Sequence, residues 1–103
     1  MTSPDRLSAG GLTLDAANQQ VFVNGTPRHL TPMECRLLTT FMRHAGQVLT
    51  RAFLMKEVWD TDYVDDTRTL EVHVCTLRKK IKDSSRKPPL IQTIRNVGYR
   101  FGQ

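Results

Sequence analysis

The sequence has 103 residues, enough for one domain with a buried core. Its hydrophobic content of 39% and charged content of 24% are typical of a globular protein and exclude a disordered chain. No apolar stretch is long enough to cross a membrane, and residues 1–10 lack the apolar centre of a secretory signal. We therefore expect a soluble, cytoplasmic domain.

The net charge of +5 is distributed unevenly along the chain. Residues 1–66 hold six Lys/Arg and eight Asp/Glu, a net charge of −2, whereas residues 67–103 hold nine Lys/Arg and two Asp/Glu, a net charge of +7. A merely solvated surface usually mixes both signs, so this asymmetry predicts a face that binds a polyanion. Nucleic acid is the polyanion that the pattern favours.

The chain offers no catalytic or metal-binding pattern. Cys35 and Cys75 stand alone without a C-x-x-C pair, and His29, His44 and His73 do not form an H-E-x-x-H motif. The sequence also lacks a nucleophile–base pattern and a glycine-rich phosphate loop. We expect reduced cysteines, no metal, no cofactor and no enzymatic activity.

The N-terminal part is predicted to form a small antiparallel sheet. Residues 1–10 are polar and are interpreted as a linker or a chain end. Residues 11–15, 20–23 and 26–30 are the predicted strands. Asn24-Gly25 between the last two is a strong hairpin-turn signal.

Two helices are predicted next. Thr31-Pro32-Met33-Glu34 is a capping-box sequence with proline at the first helical position. An apolar stripe that ends before Gly46 marks the buried face of this helix: Leu37, Leu38, Phe41, Met42 and Ala45. Residues 48–49 are interpreted as an apolar connector.

Thr50 is the predicted cap of the second helix. Its apolar side chains pair at helical spacing: Leu54, Met55, Val58 and Trp59. Trp59 is a candidate for base stacking, but a single Trp at the end of an apolar stripe is more often a core residue. We interpret it as core.

An acidic loop follows at residues 60–66. Asp60, Asp62 and Glu71 fall at positions 1, 3 and 12 of an EF-hand loop. Position 5 is Val64, however, and position 6 is Asp65 where the turn requires glycine. The sequence therefore argues against a calcium site.

The third helix is predicted over residues 67–82. Leu70, Val74, Leu77 and Ile81 form a narrow apolar stripe that marks its buried side. The opposite and flanking positions are basic or short: Arg68, Thr69, Val72, His73, Cys75, Thr76, Arg78, Lys79, Lys80 and Lys82. A basic face with short side chains can approach a groove closely, which predicts a recognition helix.

The chain ends in a second predicted hairpin at residues 91–102. Residues 90–95 form its first strand, Asn96-Val97-Gly98 its turn, and residues 99–101 its second strand. The hairpin carries Arg95 and Arg100. The predicted fold class is therefore α+β: a winged helix-turn-helix with an N-terminal antiparallel sheet, three helices and a C-terminal hairpin wing.

The sequence resembles the OmpR/PhoB family of response-regulator effector domains over residues 11–102. Each matching segment is weak alone, but their order and spacing together are specific. The segments are LTPME (30–34), LL (37–38), GQVLTR (46–51), VW (58–59), RTLEVHV (68–74), LRKKI (77–81) and IQTIRNVGYRF (91–101).

The resemblance implies sequence-specific binding of duplex DNA by the output domain of a bacterial two-component regulator. The third helix would enter the major groove, and Arg95 would enter the adjacent minor groove. Thr69, His73 and Arg78 would contact phosphates or bases, and Val72 could contact thymine methyl groups. The full implied DNA-binding set is Arg68, Thr69, Val72, His73, Cys75, Thr76, Arg78, Lys79, Lys80, Thr93, Arg95 and Tyr99.

The resemblance also implies protein partners. The acidic loop would contact RNA polymerase through Asp60, Thr61, Asp62, Tyr63, Val64, Asp65 and Asp66. Family members typically bind direct repeats as two copies, head to tail, and carry a receiver domain in the full-length protein. A free-standing regulator without a receiver is the alternative.

Three positions depart from the family pattern. Cys75 and Thr76 stand where basic residues are frequent, and Asn96 stands where glycine is usual. Short side chains cannot make bidentate guanine contacts, so a target sequence cannot be transferred to this chain. Cys75 is also a candidate for an exposed thiol.

Two other binding functions compete with duplex DNA. A basic docking module for an acidic protein would not need both a basic helix and a basic hairpin. A reader of single-stranded RNA would need exposed aromatic side chains, whereas most of the seven aromatic residues occupy predicted core positions.

Overall fold

The computed structural model describes residues 6–62, 66–83 and 89–102. The chain begins with a four-stranded antiparallel sheet in the order β1-β2-β3-β4. The strands are β1 (Arg6–Ala9), β2 (Leu12–Asp15), β3 (Gln20–Val23) and β4 (Thr26–His29). Asn24 and Gly25 form the predicted turn, with φ of 50° and 88°. These are the positive φ values that a tight two-residue hairpin turn requires.

β1 corrects the interpretation of residues 1–10 as a linker or a chain end. Leu7 pairs with Leu14 and Ala9 pairs with Leu12 across the β1–β2 ladder. Leu7 and Ala9 also pack, partly buried, against the core. The short alternation was masked by the polar residues around it. Residues 1–5 lie outside the described residues.

α1 (Pro32–Arg43) begins as predicted. Glu34 N donates to Thr31 Oγ1 at 3.3 Å, and Thr31 N donates to Glu34 Oε1 at 2.9 Å, so the capping box is complete. The predicted buried stripe is wrong at Ala45, which is exposed. The reason is that the helix ends at Arg43, and Gly46 (φ 85°) then redirects the chain.

The predicted connector at residues 48–49 belongs to a strand. β5 (Val48–Thr50) pairs with β7 (Gly98–Phe101), which also pairs with β6 (Ile91–Ile94), so this sheet has the order β5-β7-β6. Gly98 permits the close approach, because a Cβ there would lie 2.0 Å from Leu49 O. α2 (Arg51–Trp59) follows β5, and Phe53 N donates to the predicted cap, Thr50 Oγ1, at 3.1 Å.

α3 (Arg68–Lys80) has the predicted buried stripe. Leu70, Val74, Leu77 and Ile81 are all at most 1% exposed. The helix ends two residues earlier than Lys82, which takes a left-handed φ of 55° instead. This reversal directs the chain from α3 toward β6.

One hydrophobic core connects the helices with both sheets. Phe41 of α1 and Phe101 of β7 are fully buried, and their stacked ring centroids lie 6.3 Å apart. The architecture is the predicted α+β winged helix-turn-helix, with β6 and β7 as the wing. Within residues 6–62, 66–83 and 89–102, no helix is long and apolar enough to cross a membrane.

Candidate nucleic-acid interface

The outer face of α3 exposes short and basic side chains. Val72 is 61% exposed, and Arg68, Thr69, Cys75 and Lys79 are also exposed. Thr76 is half-buried and donates its hydroxyl to Val72 O at 3.0 Å. This bond satisfies the Thr76 hydroxyl, and Val72 is an exposed apolar side chain on a mainly polar face.

Asp66 supplies the N-terminal cap of α3 that Thr67 does not provide. Asp66 Oδ1 accepts from Arg68 N at 3.0 Å, and the Arg68 guanidinium donates to both carboxylate oxygens at 2.7–3.2 Å. The side-chain hydrogen bonds from Arg68, followed by the backbone bond, lower the pKa of Asp66 from 3.8 to about 2. Arg68 is therefore exposed but oriented by a carboxylate.

His73 lies at the edge of this face and is half-buried. Its Nδ1 lies 2.7 Å from Thr69 O, and because a carbonyl only accepts, Nδ1 donates and carries a proton. Its ring meets Trp59 edge to face, with centroids 5.1 Å apart. Trp59 itself packs, partly buried, against the core, as predicted.

Arg78 connects α3 to the wing. Its guanidinium donates to Ile91 O at 2.9 Å and to Thr93 Oγ1 at 2.8 Å. It also lies 5.8 Å from the centroid of the Tyr99 ring, and Arg51 lies at the same distance. Tyr99 is only 4% exposed, and burial raises the pKa of its hydroxyl. The two guanidinium groups thus border a core ring.

Lys80 has a partner far away in the sequence. Its Nζ lies 2.6 Å from Glu34 Oε1, and the Glu34 side chain is only 3% exposed. Burial alone would raise the pKa of Glu34, but the bonds from Lys80 and the Thr31 backbone outweigh it, so the pKa is lowered. The pair connects the start of α1 to the end of α3.

The wing tip presents a separate cation. Arg95, Asn96 and Val97 are exposed between β6 and β7, and Asn96 takes a φ of 63°. Val97 N donates to Ile94 O at 3.0 Å and closes the turn. In the parts of the chain that the structure describes, neither Arg95 nor Lys79 forms an ion pair.

A groove joins the outer face of α3 to the wing. Its volume is about 490 Å³, and it is lined by Cys75, Arg78, Lys79, Asp83, Pro89, Ile91, Gln92 and Thr93. Cys75 is exposed and Cys35 is buried, and both are free thiols. The groove thus brings three predicted residues of α3, Cys75, Arg78 and Lys79, beside the predicted wing residue Thr93.

The acidic loop is described only in part. Lys56 pairs with Asp60 at 3.4 Å and with Asp62 at 3.9 Å, and all three side chains are mostly exposed. The predicted loop residues Tyr63, Val64 and Asp65 lie outside the described residues. Among the residues that are described, no cluster of His, Cys, Asp and Glu could hold a metal ion.

Neither Arg51 nor Asp83 is among the site residues predicted from the sequence. Arg51 starts α2, borders Tyr99 and lies 3.8 Å from Glu71. It falls in the half of the chain with a net negative charge, so the charge asymmetry did not indicate it. Asp83 is an acid in the basic half, and its buried position follows only from the tertiary fold.

Comparison with protein-family models identifies the family to which this chain belongs. The model described as "Transcriptional regulatory protein, C terminal" matches residues 25–101. The chain belongs to this transcriptional regulatory family. The predicted resemblance to OmpR/PhoB response regulators is confirmed by this match together with the solved response regulator DrrB of Thermotoga maritima, an OmpR/PhoB homologue that is 31% identical, with a TM-score of 0.80 over 96% of this chain and 45% of that one.

Relatives of this regulatory domain include longer regulators. It is 43% identical to the transcriptional regulatory protein AfsQ1 of Streptomyces coelicolor over 96% of the chain and 44% of that protein. It is 45% identical to the sensory transduction protein RegX3 of Mycolicibacterium smegmatis over 92% of the chain and 42% of that protein. The chain thus spans less than half the length of these curated relatives.

Solved structures share the fold of the regulatory domain. The RstA DNA-binding domain of Klebsiella pneumoniae, solved in complex with the RstA box, has a TM-score of 0.82 at 35% identity, covering 94% of this chain and 96% of that one. The DNA-binding domain of CpxR from E. coli has a TM-score of 0.85 at 30% identity, covering 98% of each chain.

Proposed function

We propose that the chain is the output domain of a two-component response regulator and controls transcription by binding duplex DNA sequence-specifically. The observation that carries this proposal is the continuous surface formed by the outer face of α3 and the wing. A protruding helix suits the major groove, and a cation at a hairpin tip suits the minor groove. The related RstA DNA-binding domain was solved in complex with the RstA box, which supports DNA binding by this domain.

We propose different roles for the predicted DNA-binding residues. Val72, Thr69 and Cys75 are exposed and would contact base edges or sugars. Lys79 would contact the phosphate backbone, and Arg95 would enter the minor groove. His73 would contact the backbone through Nε2, because its Nδ1 is already bonded. Arg68, Thr76 and Thr93 remain candidates for phosphate contacts at the rim of the interface.

Three further members of the predicted set would act mainly by positioning. Lys80 is held by Glu34, Arg78 is held by β6, and Tyr99 is buried beneath Arg51 and Arg78. Arg51 joins the set because it lies at the start of α2, where backbone N–H groups also favour phosphate. Direct DNA contact by Lys80 or Tyr99 would require these side chains to leave their present partners.

The partners beyond DNA are proposals that rest on the family. The chain covers 44% and 42% of two regulatory relatives, whose greater length supports a further domain, the receiver, in the full-length protein. The acidic loop at residues 60–66 would contact RNA polymerase, since its described carboxylates are exposed. A second copy would bind the adjacent half of a direct repeat.

The deciding experiment selects duplexes from a random pool and then compares affinities. We expect the selected duplex to bind at least tenfold more tightly than a scrambled duplex of equal length, and single-stranded RNA to bind no more tightly than the scrambled duplex. Fluorescence anisotropy at one salt concentration measures all three. Equal affinity for selected and scrambled duplexes would contradict sequence-specific binding, and preference for RNA or for an acidic protein would favour those alternatives.

A further inference from the structure

Asp83 is a buried acid at the border of the proposed interface. It is 1% exposed, and each of its carboxylate oxygens accepts one backbone hydrogen bond. Leu90 N donates to Oδ1 at 2.6 Å, and Ile91 N donates to Oδ2 at 3.0 Å. Hydrogen bonds to a carboxylate are stronger than bonds between neutral groups. Asp83 therefore holds the beginning of the wing firmly.

The path of the chain explains why this contact is needed. α3 ends at Lys80, and the positive φ of Lys82 turns the following residue toward β6. Asp83 then accepts hydrogen bonds from the backbone of residues seven and eight positions later. It thereby connects the end of α3 directly to the start of the wing.

Both backbone polar groups of Ile91 form hydrogen bonds with side chains of α3 or of the segment just after α3. Its N–H donates to Asp83, and its carbonyl accepts from Arg78. Arg78 also donates to Thr93 Oγ1, two residues before Arg95 at the wing tip. In addition to the pairing of β7 with β5, two side chains thus connect β6, which precedes Arg95, to α3 and its C-terminal end.

We propose that Asp83 is a positioning residue for DNA binding, which together with Arg78 fixes the wing relative to the recognition helix. This inference rests on the proposed function, because it concerns the simultaneous entry of helix and wing into neighbouring grooves. A wing held in place before binding loses less conformational entropy when Arg95 engages DNA. Releasing Asp83 removes the contribution of Arg95 and leaves that of α3.

A double-mutant cycle tests this coupling on the selected duplex. The variants are Asp83→Asn, Arg95→Ala and the combination of both. Asparagine keeps the size of Asp83 but presents an amide NH2 to one of the two backbone donors. We expect Arg95→Ala to weaken binding by about tenfold in the parent and by less than about twofold in the Asp83→Asn background. Equal loss in both backgrounds, within about twofold, would overturn the proposal.

The control variant is Glu57→Gln. Asp83→Asn raises the net charge by one unit, which by itself strengthens DNA binding. Glu57→Gln makes the same charge change at an exposed position of α2. In that background we expect Arg95→Ala to weaken binding by the same factor as in the parent, so loss of coupling there would count against a specific role of Asp83.

Residual dipolar couplings of the DNA-free protein provide an independent measurement. In the parent, a single alignment tensor should fit the backbone amide couplings of both α3 and the β6–β7 wing. In Asp83→Asn, the amide couplings of the wing should be uniformly smaller than this tensor predicts. Unchanged wing couplings would overturn the proposal.

If Asp83→Asn does not fold, Arg78→Lys keeps the cation, removes the forked donor and decides the coupling in the same cycle. If the parent binds no duplex, the proposed function fails while the couplings still decide the role of Asp83.

Discussion

We expect Val72 and Arg95 to make two different kinds of contact with DNA. Val72 is an apolar side chain in the middle of the exposed face of α3, and it can distinguish base edges through thymine methyl groups. Arg95 is an exposed cation beside a tight turn, where it can enter a narrow minor groove of enhanced negative potential. We therefore assign specificity to the helix and general affinity to the wing.

Val72→Ala should weaken the selected duplex by roughly 1 kcal/mol and change binding to a scrambled duplex little. The reason is that its apolar contact depends on the base pair. Affinities on both duplexes at one salt concentration measure the effect. Equal weakening of both duplexes would show that Val72 does not read sequence.

Arg95→Ala should instead weaken both duplexes together, because electrostatic attraction to the groove is present in each. The salt slope of log K should become shallower by about one unit. A salt titration of parent and variant measures this change. Unchanged affinity on both duplexes would contradict the placement of the wing on DNA.

At the scale of elements, the contact between Glu34 and Lys80 connects α1 with the recognition helix. Glu34 serves twice, since it completes the capping box of α1 and accepts from Lys80. A buried carboxylate that loses its cation is costly, although Lys80 is 30% exposed and solvent reduces the cost. Lys80→Ala should therefore lower the free energy of unfolding by about 1–3 kcal/mol at neutral pH.

Urea unfolding measures this loss, and Lys79→Ala is the matched control. Lys79 is the neighbouring exposed residue without an ion pair in the described part of α3, so its replacement should change stability by less than about 0.5 kcal/mol. Similar losses in both variants would indicate a general effect on the helix.

The same contact predicts a pH dependence. Folding lowers the pKa of Glu34 below its ordinary value of 4.5. Its contribution to stability is therefore present above pH 4.5 and is lost as the pH falls through the lowered pKa. The stability difference between the parent and Glu34→Gln should shrink in that acid range. A difference independent of pH would contradict this role of Glu34.

At the scale of the whole molecule, the basic surface predicts salt-dependent binding. Residues 67–103 carry a net charge of +7. If about five side chains reach phosphates, log K should fall with log salt at a slope near −4.5. Titration of the duplex complex over a range of ionic strength measures the slope. A slope near zero would exclude a polyanion as the ligand.

The isolated domain should be monomeric in solution and should pair only on DNA. The sequence has no heptad repeat, and the exposed large apolar side chains of the described chain are Val48, Val72 and Val97. Light scattering at tens of micromolar, with and without a duplex containing two half-sites, measures the oligomeric state. A stable dimer without DNA would contradict this prediction.

Local features of the fold were predictable because their interactions span few residues. The capping box at Thr31, the turn at Asn24-Gly25 and the buried stripe of α3 all follow from contacts within one or two turns of chain. β5 was missed because it has three residues, and its partner β7 lies about half the sequence away. β1 was missed because its polar neighbours resemble a linker.

The sequence alone determined that the C-terminal part is basic and that its helix has one buried side. Only the tertiary structure decided what each basic side chain is available to do. Lys80 is paired with a carboxylate 46 residues away, and Arg78 is bonded to a strand 13 residues away. Charge composition counts such side chains equally with Lys79 and Arg95, which have no ion pair among the described residues, because it carries no information about partners brought together by folding.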